Sequence, residues 1–114
     1  YAARAVVAAE AHATGFKKAL DAGVPIANGS DLPLPDGGLL ELAQLVRRGM
    51  TEWQAIVAAT RTSAEVCEVS DRRGTVEIGK AADLLAVGSN PLDDIENVRD
   101  VKLVMKDGQI VVRN

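Results

Sequence analysis

Apolar residues along this chain recur first at helical and then at strand spacing, and the change falls near Asp71. Ala2, Val6, Ala9, Ala13, Phe16 and Leu20 follow one another at steps of three and four, which places them on one stripe of a helix, with Lys17 and Lys18 at its side and back. Gly23 suits a left-handed C-terminal cap and Pro25 forbids continuation, so this helix ends there. The run that follows, Val24 to Asp31 (VPIANGSD), reads as a buried parallel strand. Pro25 stands where such a strand begins, Ile26 and Ala27 are small or branched, and Gly29-Ser30 lets the backbone turn just before the acid.

Leu32 to Gly38 is a loop stiffened by Pro33 and Pro35, placed to line a pocket mouth if the strand lies beneath it. The pattern then predicts a helix from about Leu39 to Arg48, closed by Gly49. Thr51 opens the next one, with Gln54 completing a capping box and Met50 placed to staple against the first turn. Thr62 with Glu65 repeats the device, so Glu52 to Glu68 is expected to form two helices with a break near Arg61. Beyond Asp71 the expected strands are Thr75–Ile78, between turns at Arg73-Gly74 and Gly79-Lys80, and Asp83–Val87, broken by Asn90-Pro91. Val101–Lys106 and Gln109–Arg113 flank Asp107-Gly108, the dipeptide that fits a two-residue type I′ hairpin turn.

Composition narrows the function classes. With 114 residues there is room for one modest core, and 47% hydrophobic content with interspersed charge describes a globular chain. A net charge of −3 and 3% aromatic residues give neither a basic stripe nor stacking platforms, which argues against nucleic acid as a partner. No apolar run approaches the ~20 residues of a membrane span. Glu10 and His12 interrupt what could pass for a signal peptide. A cytoplasmic location is therefore expected. Cys67, the single cysteine, permits no internal disulfide and no cysteine-based metal site.

Asp31 is the first candidate for chemistry. At the C-terminal end of a parallel barrel strand a carboxylate faces the pocket; on local sequence alone it equally suits an Asx turn or a cap for the next helix. The order of pieces decides between these. GFKKALDAG, then VPIANGSD, then ELAQLVRRGMTEWQAIVAATRTSAEV, then GTVEIGKAADLLAVGSNPLDDI and VMKDGQIVV together resemble the C-terminal portion of a metal-dependent hydrolase of the amidohydrolase superfamily, over nearly the whole chain. Within it the chain most resembles the branch of imidazolonepropionases and prolidase-like dipeptidases, whose Gly-(Thr/Ser)-Asp ends the last barrel strand.

The resemblance implies an α/β fold in which residues 1–70 are the C-terminal part of a TIM barrel (helix, last strand, helices) and residues 71–114 are strands of a composite β-sandwich. It implies hydrolysis of carbon–nitrogen bonds in a small amide, cyclic amide or dipeptide, at a mono- or binuclear divalent metal centre, zinc by expectation. Asp31 is then both metal ligand and general base. A whole barrel needs about 250 residues, so most of it would come from an N-terminal portion or a partner chain, and the family's HxH pair, bridging lysine and later histidines would fall upstream of Tyr1. The isolated chain is expected to be inactive and to associate, as a homo-oligomer, through uncovered apolar faces. The alternative reading is a catalytically inactive fragment or interaction module that associates through those faces.

The remaining polar residues read as structural. His12 lies mid-helix at the border of the apolar stripe, where a hydrogen-bonded surface histidine is commoner than a ligand. Ser30 lacks a neighbouring base and reads as a hydrogen-bonding loop residue rather than a nucleophile. Trp53 and Met50 are expected to pack the helices into the barrel wall. Asp83, in GKAADL, resembles the acid that fixes the turn into the sandwich, while Arg47-Arg48 and Arg72-Arg73 read as solvated surface. Leu32 and the rigid Pro-Leu-Pro after Asp31 depart from the family's small residue at that point, which leaves the substrate class open.

Overall fold

The computed structural model describes residues 2–31 and 37–114, with side chains described from residue 9 onward. Helix α1 spans Ala2–Asp21, α2 spans Gly37–Arg47 and α3 spans Glu52–Val57. A π-helical turn, Ala58–Thr62, carries α3 without a stop into α4, Ser63–Val66. Strand β1 is Leu84–Val87, a 3-10 helix covers Ile95–Arg99, and β2 (Val101–Lys106) and β3 (Gln109–Arg113) close the chain.

Local signals set the ends of most of these elements. Gly23 and Gly49 take positive φ, 71° and 112°, after α1 and α2. The Thr51 side chain accepts from the Gln54 amide at 3.2 Å, and the Gln54 side chain accepts from the Thr51 amide at 2.8 Å, completing the expected capping box. Of the expected stripe on α1, Ala13, Phe16 and Leu20 are half-buried and Ala9 is exposed. Phe16 and Leu20 rest on a core built from Leu42, Ala43, Leu45, Met50, Ala55, Ala58, Ile95 and Val98. Helix α2 thus meets both α3 and the 3-10 helix, and an Arg47–Glu96 ion pair at 3.5 Å runs alongside that contact. Trp53, expected inside, is 63% exposed: it stands on the face of α3 turned away from this core.

The sheet is antiparallel, ordered β1-β2-β3, and does not close into a barrel. Asp107 and Gly108 both take positive φ, 48° and 79°, as a type I′ turn demands. Register aligns Leu85, Val104 and Val112 across the three strands, and likewise Leu84, Met105 and Ile110. Leu84, Leu85, Ile110, Val111 and Val112 all remain exposed. A sheet with apolar rows of this kind has the composition of one covered on both sides.

Three expectations are corrected. Val24 to Asp31 forms no ladder, because a parallel strand exists only beside its neighbours and no described strand lies beside this segment. Thr75–Ile78 is likewise not a strand, and its Val76 and Ile78 stand in solvent. The break near Arg61 is instead the π-helical turn: Thr62 keeps helical angles (φ −65°, ψ −39°) and its side chain caps nothing. The loop expected over Leu32–Gly38 falls, for residues 32–36, outside the described residues.

Candidate functional site

The segment between α1 and α2 is held at three places. It leaves α1 through hydrogen bonds from the Gly23 amide to the Leu20 carbonyl (3.1 Å) and from the Val24 amide to the Ala19 carbonyl (3.0 Å). Ile26 packs against the core. Asn28 supplies the third anchor. Its backbone N–H donates to the Ala58 carbonyl at 3.3 Å and to the Ser63 hydroxyl at 3.2 Å, and its side-chain Nδ2 donates to the Gly38 carbonyl at 2.9 Å.

The π-helical turn makes that anchor possible. Widening the helix at Ala58–Thr62 shifts the backbone bond, so the Ala58 carbonyl accepts from the Ser63 N–H, five residues on. The Ser63 hydroxyl donates to the same carbonyl at 2.7 Å while accepting from Asn28. One carbonyl and one hydroxyl therefore serve both the helix and the loop. Neither Asn28 nor Ser63 was singled out from the sequence; the available signal was a polar asparagine inside an otherwise apolar run.

Asp31 lies three residues beyond this anchor, exposed, with φ at 50°. Aspartate is among the few residues that tolerate this left-handed conformation, so the acid turns the chain and stays open to solvent. Ser30, beside it, is half-buried. His12 is exposed on α1 and Cys67 is exposed after α4.

Among the described residues no three His, Cys, Asp or Glu side chains gather to hold a metal. Zinc takes three or four protein donors. The residues present do not fit a complete zinc centre, and no chemical step through a metal is derived from them.

A separate polar cluster ties the helical part to the sheet. Asp83 accepts from Lys106 Nζ at 2.8 Å, from the Asp107 backbone amide at 2.8 Å and from the Arg73 guanidinium, which also reaches Asp107 at 2.7 Å. The bond from Lys106, then that from the Asp107 amide, then that from Arg73 hold the Asp83 carboxyl well below the usual carboxylate range, and Asp83 and Asp107 raise Arg73. Asp83 thus pins the Asp107-Gly108 hairpin turn between β2 and β3. Arg73, read as solvated surface, is corrected: it is a paired member of this cluster. Beside it Lys80 donates to the Thr75 hydroxyl at 2.6 Å, and that hydroxyl, more than the Lys80 charge, keeps the Glu77 carboxyl below its ordinary value.

Comparison with known proteins places this arrangement. The sequence model described as "Amidohydrolase family" matches residues 2–111. Ochratoxinase of Aspergillus niger is 37% identical over 98 residues, 84% of this chain and 20% of that enzyme. The crystal structure of a Xaa-Pro dipeptidase with bound methionine in the active site superposes with a TM-score of 0.81 at 36% identity, over 90% of this chain and 25% of that one. Molinate hydrolase gives a TM-score of 0.75 at 28% identity, over 88% of this chain and 26% of that one. The chain spans about a fifth to a quarter of the length of these relatives.

Proposed function

The chain belongs to the amidohydrolase family, and from that premise we propose that its 114 residues serve as an association module of a metal-dependent hydrolase of carbon–nitrogen bonds. The module has no catalysis of its own. Residues 1–70 act as the C-terminal portion of the barrel, and residues 71–114 as C-terminal strands of a composite β-sandwich. Once the module is joined to the remaining barrel, whether on one polypeptide or a partner chain, Asp31 would be its one candidate donor to a divalent metal whose other donors would come from outside these residues and which would supply the Lewis acidity of the reaction. Asp31 also accepts the proton of the attacking water and returns it to the leaving amine.

One observation carries the association reading. Val76 and Ile78 alternate at strand spacing yet are 87% and 108% exposed, and this segment of strand composition joins no sheet among the described residues. The imidazolonepropionase and prolidase-like branch is the one we assign. A small amide or dipeptide is the substrate class, supported by the likeness to the Xaa-Pro dipeptidase.

Light scattering of the isolated chain tests the proposal. Association beyond the monomer mass, with binding of a dye for apolar surface, is expected. A monodisperse monomer that binds no dye would mean the chain is self-sufficient and the module reading is wrong.

A further inference from the structure

We infer that Asn28 and Ser63 are positioning residues for Asp31, acting through the hydrogen-bonded junction that seats the Asp31 loop on the π-helical turn. The inference rests on the reading of Asp31 as general base given above.

A strand keeps its place through its ladder, and Val24 to Asp31 has none among the described residues. Between the packed Ile26 and helix α2, Asn28 makes three hydrogen bonds to other elements. Its two amide groups point to different elements: the backbone N–H to the Ala58 carbonyl of the π-helical turn and the Ser63 hydroxyl at the start of α4, the side-chain N–H to the Gly38 carbonyl in α2. Asn28 therefore sets the distance between α2 and the turn as well as the height of the loop. Three residues of chain reach at most about 10 Å, so fixing Asn28 confines Asp31 to a small region above Ala58.

Ser63 is the replaceable part of this junction. Its hydroxyl accepts from Asn28 and donates to Ala58, a bridge that alanine cannot make and threonine can. The Oδ1 atom of Asn28 is buried and accepts no hydrogen bond among the described residues. A buried acceptor left open is costly to keep. It persists here because Asn28's donors are committed to the junction.

The test uses the complete hydrolase carrying this segment, with the dipeptide Met-Pro as probe, and has two readouts. In Ser63→Ala, amide hydrogen exchange at residues 28–31 should rise by about five- to tenfold, as loss of one such hydrogen bond permits, with β2 unchanged and Ser63→Thr restoring protection. On Met-Pro, Ser63→Ala should lower kcat by about tenfold or more with little change in KM, since displacement of a reacting group by ~1 Å is worth up to about 10²-fold. In the Asp31→Asn background the same substitution should cost nothing further.

Unchanged exchange at residues 28–31 would overturn the junction. A Ser63→Ala loss that adds in full to that of Asp31→Asn would show a merely structural effect and overturn the positioning role while leaving Asp31 its own. Full activity in Asp31→Asn would sink the catalytic reading itself, and the positioning role with it. A parent enzyme inert toward Met-Pro would reject the dipeptide substrate, and the exchange data would still decide the junction.

Discussion

Gly74→Ala should be among the most damaging single-methyl additions to this chain, and two separate effects make it so. Gly74 has φ +95°, where an L side chain is strained; holding one there costs about 1–3 kcal/mol. An added Cβ would also stand well inside contact distance of the Ala64 Cβ and 3.1 Å from the Thr60 carbonyl oxygen. Ala64 is buried at 7% exposure and Thr60 belongs to the π-helical turn, so neither has a flexible end to swing away. Overpacking of this kind costs about a further 1–3 kcal/mol.

Gly79→Ala is the matched control. Its φ is +92° and nothing lies within 4 Å of the added carbon, so it carries the strain without the clash. At this chain length each kcal/mol moves a melting temperature by about 4–8 °C. Thermal unfolding followed by circular dichroism should place Gly74→Ala roughly 4–24 °C below Gly79→Ala, the difference being the clash alone. Equal melting temperatures would refute the packing of the Gly74 turn on α4 and the reasoning built on it.

Three further outcomes follow from the same residues. Asp83 titrates below its ordinary value of 3.8 when folded, so its contribution is present above that pH and lost as pH falls from about 4 toward the lower folded value; melting temperature should decline over that acid range in the parent and show a flatter profile in Asp83→Asn. Thr51→Ala removes the cap on α3 and should cost about 1 kcal/mol in urea unfolding, whereas an unchanged midpoint would show that the capping box contributes nothing. The isolated chain, dialysed and subjected to elemental analysis, should retain no stoichiometric zinc; about one zinc per chain, removed by chelator with loss of structure, would mean that chains pool ligands by associating.

Elements specified by neighbouring residues were legible in the sequence. Asp107-Gly108 alone dictates a turn with two positive φ values, and Thr51 with Gln54 dictates a helix start, so both appear where the sequence puts them. Strands at Val24 to Asp31 and Thr75–Ile78 were misread because their composition is that of a strand while strand pairing depends on residues far away in sequence. The π-helical turn was hidden for a related reason. Thr62 and Glu65 imitate a capping box, but the helix continues because Ser63 and Asn28, 35 positions apart, satisfy the widened turn between them. At Gly29-Ser30, where the sequence suggested a turn before the acid, none forms; Asp31 itself takes the left-handed conformation, at φ 50°, and this and the Asn28 hydrogen bonds to residues far along the chain required the fold.

The role of Asp31 is tested most directly by steady-state kinetics of the complete hydrolase with Asp31→Asn, an exchange that keeps the size and removes the basic site. Turnover should fall by about 10²–10⁴ with a smaller effect on KM, while Ser30→Ala stays close to the parent. Unchanged turnover in Asp31→Asn, together with its abolition in Ser30→Ala, would contradict the assignment and point to nucleophilic serine chemistry.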